Sequence, residues 1–208
     1  MIHLRVNPST VAPDDLAPAV AALHRGGVVA FPTETFYGLA VDPRSAVAVA
    51  RVFELKRRGR DQPLPLIASD VEQIVDHVGT MTALARRLAR AWPGALTLII
   101  PASPELCDDV HLSTGKVAVR VTADPVAREL ARGAGFAITS TSANISGEPP
   151  AASAERAAAP FGNRIDVLID SGPAPGSSPS TIVDATGDAP ILVRAGAVPW
   201  ERVLEFSR

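Results

Sequence analysis

The sequence predicts one α/β domain built on a mixed sheet, and three observations lead there. Its 208 residues suffice for a single sizeable core over residues 1–208, since domains commonly hold roughly 100–200 residues. Apolar residues make up 47% and charged residues 20%, ordinary globular usage that sets aside the disordered and low-complexity classes. Nineteen prolines and fifteen glycines divide the chain into many short elements, and strand-like runs outnumber helical ones, with a helix between only some strand pairs.

Taken in order, Asp14 to Arg25 carries Leu16, Val20 and Leu23 at helical spacing after an acidic start, and Gly26-Gly27 ends the helix. Val28 to Phe31 follows as a short buried strand. It runs into Pro32-Thr33-Glu34-Thr35-Phe36-Tyr37-Gly38-Leu39, and such strand ends are where α/β proteins place ligand-binding groups. Ser45 to Lys56 reads as a second helix, with Val49, Val52 and Phe53 on one face. Further short strands are expected at Leu64 to Ile67, Leu96 to Ile100, Val117 to Val121, Ala137 to Ser140, Val167 to Ile169, Thr181 to Val183 and Ile191 to Val193. Helices are expected at Asp70 to His77, Thr82 to Ala91, Asp124 to Ala134, Ser153 to Phe161 and Pro199 to Phe206. Ser171 to Pro179 is rich in Gly, Pro and Ser, which suits either a lid over a site or a plain surface connection.

Several chemistries are excluded by what the sequence lacks. No apolar run approaches the roughly 20 residues needed to cross a bilayer, and Met1 to Pro8 lacks the plan of a secretory signal, so a cytoplasmic location without membrane association is expected. Cys107 stands alone, which rules out an internal disulfide and a cysteine-based zinc site. The formal charge of −2 argues against a protein that grips a phosphate backbone globally; any RNA contact is expected to be local and weak. There is no G-x-x-x-x-G-K-[ST] phosphate loop, and Gly133-Ala134-Gly135 fails as a dinucleotide fingerprint. Ser113-Thr114-Gly115-Lys116 matches S-x-x-K without its companion motifs. His3, His24, His77 and His111 lie far apart without ligand spacing and read as surface or loop residues.

What remains is a set of small polar and cationic clusters at strand ends. Thr33-Glu34-Thr35 with Tyr37-Gly38 offers hydroxyls and backbone amides for a zwitterionic molecule, or is a capped turn. Lys56-Arg57-Arg58-Gly59-Arg60 is either a helix C-terminus that complements the dipole or a phosphate clamp, and Gln62-Pro63-Leu64 follows close behind. In Lys116-Val117-Ala118-Val119-Arg120 the strand period puts Arg120 on the face of Ala118, where a guanidinium needs a carboxylate or phosphate partner. Thr139-Ser140-Thr141-Ser142-Ala143-Asn144-Ile145-Ser146-Gly147 is a row of small donors suited to a nucleotide or an amino-acid head group. Pro179-Ser180-Thr181-Ile182-Val183-Asp184 and Val193-Arg194-Ala195-Gly196 complete the set.

Together with Trp92-Pro93-Gly94-Ala95-Leu96-Thr97, these clusters resemble the YrdC-type threonylcarbamoyl-AMP synthase family. Its PTET-x-YGL, K-x-R with P-L, W-P-G-x-x-T, VAVR, SAN-x-SG, STIVD and R-x-G segments all occur here in that order, from about Gly26 to Gly196. The resemblance implies a twisted, mostly open mixed sheet with helices outside and a concave substrate-binding face. It implies a nucleotidyltransferase that takes L-threonine, bicarbonate and ATP to threonylcarbamoyl-AMP and pyrophosphate, with Mg2+ accompanying ATP and handover to a tRNA threonylcarbamoyl transferase. It further implies Lys56 and Arg58 as the catalytic phosphate holders, Gln62, Lys116, Ser142, Asn144 and Arg194 around ATP, and Thr35, Arg120, Ser140 and Ser180 around threonine. Arg120 is expected to pair with the substrate carboxylate.

Four positions depart from the family pattern. Gly59 and Ala195 stand where proline is common, which alters loop stiffness. Ile67 stands where some members have histidine and Pro150 where some have serine, so those contacts do not carry over. Two other functions fit parts of the pattern. One is an RNA-binding module using Lys56 to Arg60 with Arg86, Arg87 and Arg90, which lacks interleaved aromatics. The other is a carbamoyl-transfer module, whose zinc-finger and acylphosphatase segments are absent from this sequence.

Overall fold

The computed structural model describes residues 1–176 and 178–208. In chain order the strands are β1 (Ile2–Arg5), β2 (Val29–Phe31), β3 (Gly38–Ala40), β4 (Leu66–Ala68), β5 (Leu96–Pro101), β6 (Lys116–Val121), β7 (Ile138–Thr139), β8 (Thr141–Ser142), β9 (Val167–Asp170), β10 (Thr181–Asp184) and β11 (Ile191–Arg194). The helices are α1 (Ala17–His24), α2 (Ala46–Lys56), α3 (Val71–His77), α4 (Ala83–Leu88), α5 (Asp108–His111), α6 (Pro125–Ala134), α7 (Ala154–Ala158) and α8 (Trp200–Ser207).

The expected mixed pairing is present, but the strands form two sheets. One has the order β1-β9-β2-β3-β8 and the other β11-β10-β5-β6-β4-β7, each combining parallel and antiparallel neighbours. The run Ala137 to Ser140, expected as one strand, is where the chain changes sheets. β7 pairs with β4, and after Ser140 alone β8 pairs with β3. Thr139 joins the two sheets there: its hydroxyl donates to the Leu39 carbonyl at 3.1 Å and accepts the Val41 amide at 3.0 Å.

Alternation decides which core each strand residue enters. Val29 and Phe31 of β2 pack with Leu16, Leu23, Val126 and Leu130, under the layer formed by α1 and α6. Val28 and Ala30 join the other core, with Val49, Val52 and Phe53 of α2 and with Leu96, Leu98, Val117 and Val119. β3 was hidden in a stretch that reads as a polar loop. A Cβ on Gly38 would stand 3.1 Å from the Phe31 ring, so glycine lets this strand lie against β2.

Helix boundaries follow their caps. Ser45, Asp70, Thr82 and Asp124 each accept the amide three residues on, opening α2, α3, α4 and α6. α7 is shorter than the expected Ser153 to Phe161, because Pro160 has no N–H to continue the ladder. Arg57 ends α2 in the left-handed region (φ 49°), and the Arg58 amide returns to the Phe53 carbonyl at 3.0 Å. Lys56 points inward from the face of α2 that carries Val49, Val52 and Phe53, and the turn after it carries Arg58 toward the concave side. His111, expected at the surface, is buried at the end of α5, and its Nδ1 has no hydrogen-bond partner among the described residues.

Two of the arginines in the RNA-binding reading are tied to the end of α8. Arg87 Nε donates to the Ser207 carbonyl at 2.7 Å, and Arg90 Nη2 donates to the Phe206 carbonyl at 2.8 Å. Among the described residues no helix is long and apolar enough to cross a membrane.

Candidate active site

The face of the second sheet that turns away from the core is the floor of a cleft of about 640 Å³, within the roughly 300–1,000 Å³ usual for small-molecule sites. Strand period explains the floor. Leu96, Leu98, Val117, Val119 and Val183 go to the core, while Thr97, Ile99, Ala118, Arg120 and Ile182 line the cleft. Thr33, Thr35 to Gly38, Arg58, Gln62, Pro63, Pro65, Ser140 to Ser142, Asn144, Pro179-Ser180 and Val193-Arg194 supply the walls.

Arg120 is 4% exposed and donates from Nε to Glu34 Oε1 at 2.9 Å, while the Thr122 hydroxyl donates to Glu34 Oε2. Burial raises the Glu34 carboxyl, but the Arg120 charge and the Thr122 hydrogen bond outweigh it and hold the group below its usual 4.5. The two terminal nitrogens of Arg120 have no protein partner among the described residues, and Arg120 lines the cleft. A guanidinium anchored through Nε presents its other donors to a ligand carboxylate.

Hydroxyls surround this arginine. Thr33 Oγ1 donates to the Phe36 carbonyl at 2.7 Å and lies 3.0 Å from Thr35 Oγ1. Thr33 Oγ1 also accepts the Thr35 and Phe36 amides at 3.1 and 3.2 Å, so the turn uses its bonding capacity and fixes Thr35 at the cleft wall. Thr97, 1% exposed, donates to Ser180 Oγ at 2.8 Å. The Ser140 and Ser142 hydroxyls line the cleft with no protein partner among the described residues.

Two more guanidinium groups enter from the rim. Arg194 donates to the Ser180 carbonyl from Nη2 at 2.7 Å and from Nε at 3.2 Å. Arg58 donates from Nη1 to Thr141 Oγ1 and from Nη2 to the Pro63 carbonyl, both at 3.1 Å, and its buried Nε has no partner among the described residues. Burial lowers both pKa values, reinforced at Arg194 by the charge of Arg120 and opposed at Arg58 by Asp61. Arg58, Arg120 and Arg194 against one lining carboxylate, Glu148, make the cleft cationic. Gly196 holds Ser180 close: a Cβ there would lie 2.4 Å from the Pro179 carbonyl oxygen and 2.6 Å from the Ser180 carbonyl.

Of the residues expected at the site, the structure brings Thr35, Arg58, Gln62, Arg120, Ser140, Ser142, Asn144, Ser180 and Arg194 to the cleft. Three arrangements differ from expectation. Lys56 is 2% exposed beneath the Ser142 to Asn144 backbone and does not line the cleft, because helical spacing sets it on the buried face of α2 with Val49, Val52 and Phe53. Lys116 lies beyond the lining, where its Nζ pairs with Asp184 at 2.9 Å. The Asn144 carboxamide is engaged within its own loop, accepting from Lys56 and donating to the Ile145 and Glu148 carbonyls. Glu34 and Thr97 stand within motifs singled out in the sequence but carry no expected role there, and nothing in the sequence singles out Thr122. For Thr97 the two-residue strand period, which sets it beside Ile99, was the available signal.

The Ser171 to Pro179 segment, in which Ser177 lies outside the described residues, is tied to one wall. The Tyr37 hydroxyl donates to the Gly172 carbonyl at 2.6 Å, and the Gly176 amide donates to the Thr35 carbonyl at 2.8 Å. Burial pushes the Tyr37 hydroxyl up to about 12, so it stays a donor. Among the described residues no three His, Cys, Asp or Glu side chains group to hold a metal ion.

Fold and cleft define an α/β protein with an open, cationic, hydroxyl-lined ligand site. The family model Sua5_yciO_yrdC, described as "Telomere recombination", matches residues 21–196, and the chain belongs to this family. It is 43% identical over 174 residues to a threonylcarbamoyl-AMP synthase of Alkalilimnicola ehrlichii, covering 82% of this chain and 91% of that one. It is 38% identical over 190 residues to the threonylcarbamoyl-AMP synthase of Bacillus subtilis, covering 90% of this chain and 55% of that one. The crystal structure of P. abyssi Sua5 complexed with L-threonine matches with a TM-score of 0.90 at 34% identity, covering 99% of this chain and 60% of that one.

Proposed function

We propose that the chain is an L-threonylcarbamoyladenylate synthase, which converts L-threonine, bicarbonate and ATP to threonylcarbamoyl-AMP and pyrophosphate for tRNA threonylcarbamoyladenosine modification. One observation carries this reading: Arg58, Arg120 and Arg194 converge with the hydroxyls of Thr35, Ser140, Ser142 and Ser180 in a single cleft. Such a set suits a substrate pair with one carboxylate, one ammonium and a polyphosphate. The name of the relatives and the threonine complex of the P. abyssi protein support it.

In this reading Arg120 takes the amino-acid carboxylate on its terminal nitrogens, and Thr35, Ser140 and Ser180 surround the rest of the amino acid. Arg58 and Arg194 face the phosphates, with Gln62 and Ser142 beside the nucleotide. The substrate ammonium gives a proton to solvent, and the free amine then adds to CO2 with loss of a second proton, or to bicarbonate with loss of water, to give a carbamate; a carbamate oxygen then attacks the α-phosphorus as pyrophosphate leaves. The protein supplies position and cationic stabilisation for the phosphoryl charge. Mg2+ would arrive with ATP; the one carboxylate of the lining, Glu148, does not make a metal site, and no step is assigned to protein-bound metal. The labile product then passes, in the cytoplasm, to a transferase acting on tRNA. Threonine- and bicarbonate-dependent release of pyrophosphate from ATP by the purified protein tests the proposal, and release independent of both would overturn it.

A further inference from the structure

Lys56 ends α2 as the first cation of the Lys56 to Arg60 run, yet it is the one whose ammonium group is shut away from the cleft that Arg58 lines. Its three N–H donors have three oxygens to meet: the Ser142 carbonyl, the Asn144 carbonyl at 2.8 Å and Asn144 Oδ1 at 3.2 Å. None is left for a phosphate. The Lys56 carbonyl also accepts the Ser146 amide at 2.9 Å, so both its backbone and its side chain hold the same loop. Asn144 relays this hold, its Nδ2 donating to the Ile145 carbonyl at 3.0 Å and to the Glu148 carbonyl.

We propose that Lys56 is a positioning residue, which fixes the loop from Ser142 to Glu148 as a wall of the cleft and touches no substrate. The inference rests on the reading of this cleft as a nucleotide site. Up to Ala143 the segment is held by β3, with the Ala143 amide donating to the Tyr37 carbonyl at 2.8 Å; beyond it Lys56 holds the loop through its ammonium and its carbonyl, and Ser142, Asn144 and Glu148 all line the cleft. Lys56 forms no ion pair with a carboxylate among the described residues, so its charge is balanced only by carbonyl dipoles. An anion in the cleft adds favourable Coulomb energy across the loop without contact, because such interactions fall off slowly in a partly buried region. Loop order and polyanion binding are thereby linked through Lys56.

The test compares hydrogen exchange of the 142–148 amides with ATP affinity by calorimetry, in wild type and in Lys56→Met, Asn144→Ala and Arg58→Ala. In the absence of ligand, Lys56→Met is expected to speed exchange across 142–148 by roughly tenfold or more, with the middle of α2 unchanged, and to weaken ATP. Arg58→Ala is expected to weaken ATP while loop exchange stays at the wild-type rate. A Lys56→Met protein with wild-type loop exchange and lost ATP affinity would show a direct phosphate ligand and overturn the proposal. Should Lys56→Met fail to fold, Asn144→Ala keeps the ammonium and removes one of its acceptors together with the Nδ2 bonds that relay the hold to Ile145 and Glu148, and unchanged loop exchange there overturns it equally. If wild type binds no ATP while Lys56→Met still loosens the loop, the nucleotide reading falls and the positioning role stands.

Discussion

Arg120 and Glu34 form a buried ion pair, Nε to Oε1 at 2.9 Å, across 86 residues of sequence. It fixes which edge of the guanidinium meets the ligand. Glu34→Gln keeps an oxygen for Nε but removes the charge. Breaking a buried pair outright costs about 3–5 kcal/mol, and the retained hydrogen bond reduces this to roughly 2 kcal/mol here. We expect a rise in KM for threonine larger than any fall in kcat. The folded Glu34 lies below its ordinary 4.5, so its stabilisation is present above that value and lost as pH falls through the folded one. Acid titration of stability should therefore be flatter in the variant, and equal slopes would remove this assignment.

Gly196→Ala should damage the site without touching substrate. The new Cβ would meet the Pro179 and Ser180 carbonyls at 2.4 and 2.6 Å, so the backbone bearing Ser180 must shift. Displacement of a positioned group by about 1 Å can cost about 100-fold in rate. Steady-state kinetics with a thermal melt separate this from global unfolding, and wild-type turnover would show that the contact is soft.

Substrate choice follows from hydrogen-bond accounting. If Thr35, Ser140 or Ser180 bonds the substrate hydroxyl, valine leaves buried polar groups unpaired, and such sites discriminate by roughly 10⁴ or more. Serine loses only a methyl, about 1–3 kcal/mol. Pyrophosphate release should rank threonine, serine, valine. Valine above serine would place these hydroxyls against ribose or phosphate.

Lys56 gives a pH signature. Burial, then the charge of Arg58, lowers its ammonium from 10.5 to about 8. The folded state therefore disfavours the charged form below pH 8, and this penalty is relieved as pH rises from 8 towards 10.5. A bound polyanion favours the charged form instead. ATP binding near and above pH 8 should take up protons, and affinity should fall as pH rises through that value. Calorimetry in buffers of different ionisation enthalpy reads the uptake, which Lys56→Met should abolish; proton release would contradict the linkage.

Arg58→Ala removes a cleft guanidinium from the charge that develops on the phosphate. Loss of one such group costs roughly 2.7–4 kcal/mol in comparable electrostatic sites. Turnover within about threefold of wild type, a difference under 1 kcal/mol, would remove Arg58 from the phosphate-binding group.

The sequence by itself determined the elements whose residues repeat with a clear period, and the chemical types at the site. Val49, Val52 and Phe53 define the inward face of α2, and Ala118 with Arg120 defines the cleft face of β6, because period is a local property of the backbone. It did not determine that the strands divide into two sheets, since that depends on which edges pair around Thr139. Nor did it separate Lys56 from Arg58. Both are cations two positions apart; Lys56 continues the inward face of α2, but the Ser142 to Asn144 carbonyls it meets there, and the left-handed turn at Arg57 that carries Arg58 to the cleft, are set by the tertiary structure. Charge and donor count are written in the residue, whereas the partner is chosen by the packing of segments distant in the chain. For that reason the tertiary structure alone decided that Arg120 is anchored by Glu34, that Ser180 is held by Thr97 and Arg194, and that Lys56 supports a loop.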